Sequence, residues 1–310
     1  MQKIMYLPSS PAISRLGFGA WQLGNLESWG PMTDSDAIAL VKEAIAQGIN
    51  FFDTAPGYGN GKSEYLLGEA IKGHREQIVI NSKFGHHANG MTDFRVEMIE
   101  PSIRESLKRL KTTYLDSIVL HNPSMDILFN REGHFDHLET LRQKGLIRGY
   151  GVSIDTPSEI EAILTHGKVH VIELLFNVFF QASREMLDRL ASHHIAVIIK
   201  VPLDSGWLTG KYDSTASFTG IRSRWTATDI HRRSELIEHL KKLVGQDDLT
   251  PYALGFLLSY PAVTAIIPGV RSLQQLHTLV EAVAHPFPLE LRTKFEAFYD
   301  EFIRPSPLPW

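Results

Sequence analysis

Eight short, mostly apolar runs recur along the chain, nearly all followed by a stretch with helical periodicity, and this alternation points to the α/β class. The runs are RLGFGAWQ (15–22), NFFDTA (50–55), IVINSKF (78–84), SIVLHN (117–122), IRGYGVSI (147–154), VIELLFN (171–177), IAVIIKVPL (195–203) and VTAIIPGV (263–270). Several are apolar at consecutive positions, which suits strands buried on both faces of a parallel sheet. Helices are expected at 34–48, 63–73, 94–111, 134–144, 157–167, 182–193, 229–245, 251–260 and 272–284. The first opens on acidic residues and closes at Gly48, while Pro157 and Pro251 stand where the first turn tolerates proline.

Eight β-then-α units predict a (β/α)8 TIM barrel, with a doubly wound sheet as the alternative. A barrel takes about 250 residues, and the surplus in this chain of 310 has places to go. Residues 1–14 read as an N-terminal β-hairpin around Pro8-Ser9-Ser10 that closes the bottom of the barrel, and 288–303 as an additional C-terminal helix. Residues 204–228 read as a long polar and aromatic loop, and with no repeat or linker the whole of 1–310 is expected to be a single domain.

Composition narrows the function classes. A formal net charge of −4 gives no electrostatic reason to expect nucleic acid or an anionic membrane as partner. The absence of cysteine removes disulfides, thiolate metal sites and thiol nucleophiles together. No basic-then-apolar leader opens the chain and no run approaches about 18 apolar residues, so a soluble, cytoplasmic protein is expected. His86-His87 and His193-His194 do not suggest a metal site, because adjacent side chains diverge on a strand or a helix.

In such a barrel, chemistry gathers at the C-terminal ends of the strands. Asp53, Lys83 and His121 end the second, third and fourth runs, and Tyr58 follows the second in the glycine-rich stretch APGYGNG. Singly, these read as a turn cap, a solvated strand end and a hydrogen-bonded core histidine. Together at matching strand ends they make a proton-donating set, with no nucleophile–base pair such as Ser-His among them.

These residues lie in segments that resemble the aldo-keto reductase family across nearly the whole chain. The resembling blocks are GFGAWQLG (17–24), GINFFDTAPGYGNGKSEYLLG (48–68), SKFG (82–85), LHNP (120–123), GLIRGYGVS (145–153), VPLDSGWLTGKY (201–212) and IPGVRS (267–272), in the family's order. The resemblance implies NAD(P)H-dependent interconversion of carbonyls and alcohols, with a catalytic tetrad at Asp53, Tyr58, Lys83 and His121. In that scheme Tyr58 gives a proton to the carbonyl oxygen, Asp53 keeps Lys83 charged and oriented, and His121 hydrogen-bonds the substrate oxygen. A free phenol titrates near ~10, and lowering it by about two units takes roughly 3 kcal/mol. An ammonium at ~4 Å supplies about 4 kcal/mol at an effective dielectric of ~20, so Lys83 alone is expected to suffice.

No G-x-G-x-x-G follows a strand, so a Rossmann cradle is not expected. The resemblance instead implies NADPH, with NADH the less favoured cofactor, lying extended across the rim. Its implied contacts are Gly19, Ala20, Trp21 and Asp53, then Ser153 and Glu173 at the carboxamide. Lys200 stands at the ring, Pro202, Leu203, Ser205, Gly206 and Leu208 along the pyrophosphate, and Gly269, Arg271, Ser272 and Gln275 at the adenosine end. Arg271 is expected near a 2′-phosphate, because guanidinium matches phosphate geometry.

Five positions depart from the family's pattern. Ile154 replaces an asparagine, Glu173 a glutamine, Lys200 the tyrosine that stacks on the nicotinamide, Val201 a serine and Leu279 an asparagine. A cation at 200 is expected to disfavour the oxidised, positively charged ring unless Glu173 pairs with it. The partner is expected to be a small-molecule carbonyl substrate bound by Trp21, Trp29, Tyr58, Phe84, His86 and His121, with Trp225 reaching in from 204–228. Two alternatives stay open: an NAD-dependent sugar or alcohol dehydrogenase using the same tetrad, and a cofactor-sensing regulatory subunit.

Overall fold

The apolar runs pair with one another in chain order. The computed structural model describes residues 1–310, the side chains of Glu27, Ser28 and Ile221 excepted. Two short antiparallel strands, β1 (Lys3–Ile4) and β2 (Ile13–Ser14), form the expected hairpin. Eight parallel strands follow: β3 (Phe18–Gly19), β4 (Phe51–Asp53), β5 (Val79–Phe84), β6 (Leu115–His121), β7 (Ile147–Ile154), β8 (Val171–Leu175), β9 (Ala196–Lys200) and β10 (Val263–Ile266). Bridges from Leu16 to Ile266 and from Gly19 to Gly269 join the first strand to the last. Sequential order with closure is the (β/α)8 barrel and excludes the doubly wound sheet, whose strand order reverses.

Strand alternation sorts the side chains into two cores. Outward residues such as Phe52, Ile80, Ile118 and Val152 pack under the helices. Inward residues Phe51, Val79, Val119, Val171 and Ile198 meet Tyr6, Leu7 and Ile13 of the hairpin region, which seals the barrel floor. Above that floor the inward positions turn polar, with Asp53, Asn81, Lys83, Ser117, Ser153 and Glu173 all buried.

Several boundaries move for identifiable reasons. The first run contributes only Phe18–Gly19 because Ala20–Gln22 turns into a 3-10 helix. The expected helix at 94–111 begins at Ile99, after Asp93 takes both the backbone N–H and the guanidinium of Arg95 and fixes a turn. The helix expected from 229 starts at Ala227, because Thr226 and Asp229 form a reciprocal cap. Residues 204–228 carry two 3-10 turns, Asp204–Thr209 and Gly220–Arg224, around an aromatic cluster of Trp207, Tyr212, Phe218 and Trp225. The additional C-terminal helix runs from Leu289 to Phe302 and accepts a hydrogen bond from Gln181 Nε2 at the Phe295 carbonyl, at 3.0 Å.

β7 and β8 approach so closely that a Cβ on Gly151 would lie 1.7 Å from the Val171 carbonyl oxygen. Gly151→Ala is therefore expected to cost about 3 kcal/mol or more. A lowered denaturant midpoint, or loss of soluble protein, is the expected reading. A midpoint equal to wild type would show that the strands can part at no cost.

Candidate active site

Asp53, Lys83 and His121 sit at or near the ends of β4, β5 and β6, and the loop after β4 carries Tyr58 back over the mouth. That loop turns through left-handed Gly59 (φ 54°), Asn60 (φ 55°) and Gly61 (φ 83°). A side chain at Gly59 would collide with the Gly24 carbonyl at 2.8 Å, so this glycine is required by space as well as by φ. Ser63 Oγ donates to the Ala20 carbonyl at 2.7 Å and Ser63 N to the Tyr58 carbonyl at 3.3 Å, which fixes the loop on β3's extension.

The structure brings all four members of the expected tetrad together. Lys83 Nζ donates to Asp53 Oδ1 and Oδ2 at 2.5 and 2.6 Å and lies 5.4 Å from the centre of the Tyr58 ring. The Tyr58 and His121 rings meet edge to face at 6.2 Å. A second carboxylate shares the same ammonium, with Glu173 Oε2 3.0 Å from Lys83 Nζ. That oxygen is buried and outside hydrogen-bond alignment with any donor.

Electrostatics follow from this crowding. Burial and Glu173 push Asp53 up to about 7, against the pull of Lys83 and Asn81. Lys83 is pushed above the ordinary lysine range, because Asp53 and Glu173 together outweigh its own burial. Burial together with Asp53 and Glu173 raises Tyr58 despite Lys83. The expectation that Lys83 alone lowers the phenol is thus corrected: desolvation of the phenolate is the main opposing effect, and two carboxylates act against the one ammonium besides. His121 is held well below the usual imidazole range by burial, Lys83 and Lys200, so it is a neutral ring.

Lys200 does not pair with Glu173. It pairs with Asp155 at 2.8 Å and donates to Ser153 Oγ and Asn122 Oδ1 at 2.9 and 3.1 Å. Ser153 Oγ, implied as a carboxamide ligand, accepts from Lys200 and keeps its own O–H to donate. Glu173 Oε2 is ion-paired with Lys83 but aligned with no hydrogen-bond donor, which leaves it able to accept from an amide NH2.

After β9 the backbone enters the left-handed region at Val201 (φ 53°), Asp204 (φ 44°), Ser205 (φ 54°) and Gly206 (φ 101°). Strain at three non-glycine residues persists because neighbours enforce it. Asn177 Nδ2 donates to the Val201 carbonyl at 2.9 Å, and Arg233 Nε to Asp204 Oδ2 at 3.0 Å, both members of that ion pair being fully buried. Pro202 and Leu203 flank the strained turn, while Leu208 is buried in the core. Gly19 and Ala20 are buried beneath the rim, where Gly19 bridges Gly269. Gly269, Arg271, Ser272 and Gln275 are exposed at the start of the helix Leu273–Ala284, capped by Ser272 Oγ accepting from Gln275 N at 3.2 Å.

The expected substrate wall divides. Trp21 stands 6.0 Å from Tyr58 and 5.3 Å from Trp29, and His86 stands 4.9 Å from His121, ring centre to ring centre. Phe84 is corrected: it follows Lys83 by one position, so it faces outward and is fully buried against Phe94 and His87. Trp225 is corrected as well, since it packs on Trp207 and Phe218 inside its own loop. Among the departures, Ile154 and Leu279 are buried apolar core residues. Sequence reasoning missed Asn81, Ser117, Asp204 and Arg233. For Asn81 the one local signal is that it belongs to the three consecutive polar residues of INSKF, inside a run otherwise read as buried strand.

The sequence model of the aldo/keto reductase family matches residues 15–300. L-galactose dehydrogenase of Arabidopsis thaliana is 30% identical over 284 residues, covering 87% of this chain and 84% of that protein. The uncharacterized oxidoreductase YqkF of Bacillus subtilis is 28% identical over 275 residues, 87% of each chain. Among solved structures, the holo form of an aldo-keto reductase from Bacillus halodurans matches with a TM-score of 0.80 at 26% identity, covering 96% of each chain.

Removing the shared cation leaves two buried carboxylates facing each other, whereas removing one carboxylate leaves an ion pair. Lys83→Met is expected to destabilise by about 3–5 kcal/mol and Asp53→Asn by clearly less. With Asp53 at about 7 when folded against its ordinary 3.8, the folded chain holds the extra proton between those values. Its contribution to stability is therefore present at low pH and lost as pH rises through that window. Denaturant titrations from pH 4 to 7 should show this decline in wild type and a shallower one in Asp53→Asn. Equal slopes would contradict the assignment.

Proposed function

The chain belongs to the aldo/keto reductase family, an NAD(P)H-dependent oxidoreductase, and on that premise we propose that it reduces aldehydes or ketones with NADPH, Tyr58 donating the proton. The observation that supports this is the convergence at the barrel mouth of Tyr58 with Lys83, whose ammonium is held on both oxygens of Asp53 and lies 5.4 Å from the phenol ring centre, and with the neutral His121 ring 6.2 Å away.

The residues present fit a nicotinamide dinucleotide. Glu173 offers a buried Oε2 that is aligned with no hydrogen-bond donor although Lys83 lies 3.0 Å away, and a 12-residue helix begins at the rim beside Arg271. Ser153 and Glu173 would hold the carboxamide, Pro202, Leu203, Ser205 and Gly206 the pyrophosphate, and Gly269, Arg271, Ser272 and Gln275 the adenosine end. When bound, the cofactor supplies a hydride to the carbonyl carbon. Tyr58 gives its proton to the carbonyl oxygen, and Lys83, held by Asp53, stabilises the phenolate left behind. Neutral His121 hydrogen-bonds the same oxygen. Trp21, Trp29 and His86 line the space that admits a small carbonyl compound.

Oxidation of a sugar with NAD is the second reading, favoured by the L-galactose dehydrogenase of Arabidopsis thaliana among the relatives and by the tryptophan pair at the mouth. Rates with a carbonyl panel and with free sugars, each with both dinucleotides, separate the two.

Tyr58→Phe is expected to lower kcat by about 10²–10⁴-fold while leaving the NADPH Kd within about twofold of wild type by fluorescence titration. Full turnover in that variant would sink the reading, and dinucleotide binding without any turnover in wild type would favour a regulatory role. Arg271→Ala should weaken NADPH binding about 10–100-fold, the value of a charged hydrogen bond. NADH binding should barely change, and equal losses would place Arg271 away from the 2′-phosphate.

A further inference from the structure

A polar row lies beneath the site, one layer above the apolar floor. Asp53, Asn81 and Ser117 are register partners on β4, β5 and β6. Asn81 Nδ2 donates to Asp53 Oδ2 at 2.7 Å, and Ser117 Oγ donates to Asn81 Oδ1 at 2.7 Å. Tyr6, between the hairpin strands, packs its ring on Phe51 and brings its hydroxyl to 2.6 Å from Ser117 Oγ. All four residues are buried.

Proton counting fixes the direction. A carboxylate only accepts, so the amide presents Nδ2 to it and Oδ1 away from it. Ser117 then spends its one proton on Oδ1, and Tyr6 must be the donor to Ser117. An amide in the middle makes this a row of aligned dipoles and no proton path.

We propose that Tyr6, Ser117 and Asn81 are positioning residues of the reaction, a one-way donor chain from the barrel floor that keeps Asp53 ionised and turned toward Lys83. This rests on the function proposed above, because Asp53 acts through Lys83 on Tyr58.

The chain has a task because Asp53 is opposed from several sides. Lys83 faces it from β5, Glu173 from β8 on the same ammonium, and Tyr58 from the rim loop. Tyr6 lies below, Asp116 sits on the outer face of β6 paired with Arg75 and Arg148, and neutral His121 is on β6 at the mouth. A protonated Asp53 would leave Lys83 to Glu173 alone, and the ammonium would lose its two-point hold. Each donor is polarised by the one behind it, so the bond to Asp53 is stronger than an isolated amide would give.

A purely structural chain would affect stability but not titration, so the test is the pH profile of kcat/KM. Activity that needs ionised Asp53 is lost as pH falls through its pKa, and removing donors raises that pKa. Ser117→Ala is expected to move the acid limb up by about half a unit, about a threefold loss at fixed pH on the limb. The plateau and the KM for NADPH should stay within about twofold, and Ser117→Thr, which keeps the hydroxyl, should restore the limb. Tyr6→Phe, which preserves packing, should move the limb the same way by less. The double variant should go no further than Ser117→Ala, because Tyr6 acts through Ser117. An unmoved limb in folded Ser117→Ala or Tyr6→Phe, or additive shifts, overturns the proposal. If wild type reduces no carbonyl, the function fails separately, and carboxyl-carbon NMR titration of Asp53 in the same variants still decides: an upward shift supports the chain, no shift overturns it.

Discussion

One ammonium held between two carboxylates, in the dry interior of the barrel, is the interaction on which the rest of the site depends. Lys83 is bound by Asp53 on both oxygens and approached by Glu173 from the opposite side of the barrel. Such a group is costly to bury and is stable only where the geometry is held and the remaining lone pairs are satisfied. The barrel supplies both conditions. Its floor is closed by Tyr6, Leu7 and Ile13, which keeps water from screening the charges from below. Its strands place Asp53, Asn81 and Ser117 in one register row, so the polar partners come from rigid elements and not from loops.

The rim is built on the opposite principle. Backbone strain at Val201, Asp204 and Ser205 is tolerated because a fully buried ion pair grips the turn from behind. Arg233 also donates to the Pro309 carbonyl at 2.8 Å, so the same guanidinium ties the end of the chain to this loop. The additional segments therefore serve the site. The hairpin supports its base, and the helix Ala227–Val244, through Arg233, braces its strained edge.

How much of this could be read in the sequence depended on distance along the chain. The (β/α)8 order, the hairpin, the extra helix and the strand-end placement of Asp53, Lys83 and His121 follow from local periodicity, while their grouping with Tyr58 as a tetrad is what the family resemblance implies. What failed was pairing across the barrel. Phe84 was placed at the mouth although its parity with Lys83 turns it outward. A Glu173–Lys200 pair is left open by the sequence, and the structure does not form it: β8 sets Glu173 against Lys83, and Lys200 finds Asp155. Arg233 looked like an ordinary charge on a helix, because nothing local announces a partner 29 residues away. For Tyr58 the sequence shows the nearby lysine but not the burial of the phenol, and burial together with Asp53 and Glu173 sets the sign of the shift.

The two departures that most disturb the family's pattern therefore compensate in different places. Lys200 is ion-paired with Asp155 near the rim, where its charge still acts on His121. Asp53, Lys83 and Glu173 together carry one formal negative charge in excess when both acids are ionised. Delivery of a hydride from a dinucleotide builds positive charge on the nicotinamide, and fixed negative charge nearby stabilises that development more than it stabilises the neutral starting ring. Burial first, and Asp53 and Glu173 after it, also raise the Tyr58 phenol against the pull of Lys83. The glutamate at position 173 contributes to both effects as the second carboxylate on Lys83.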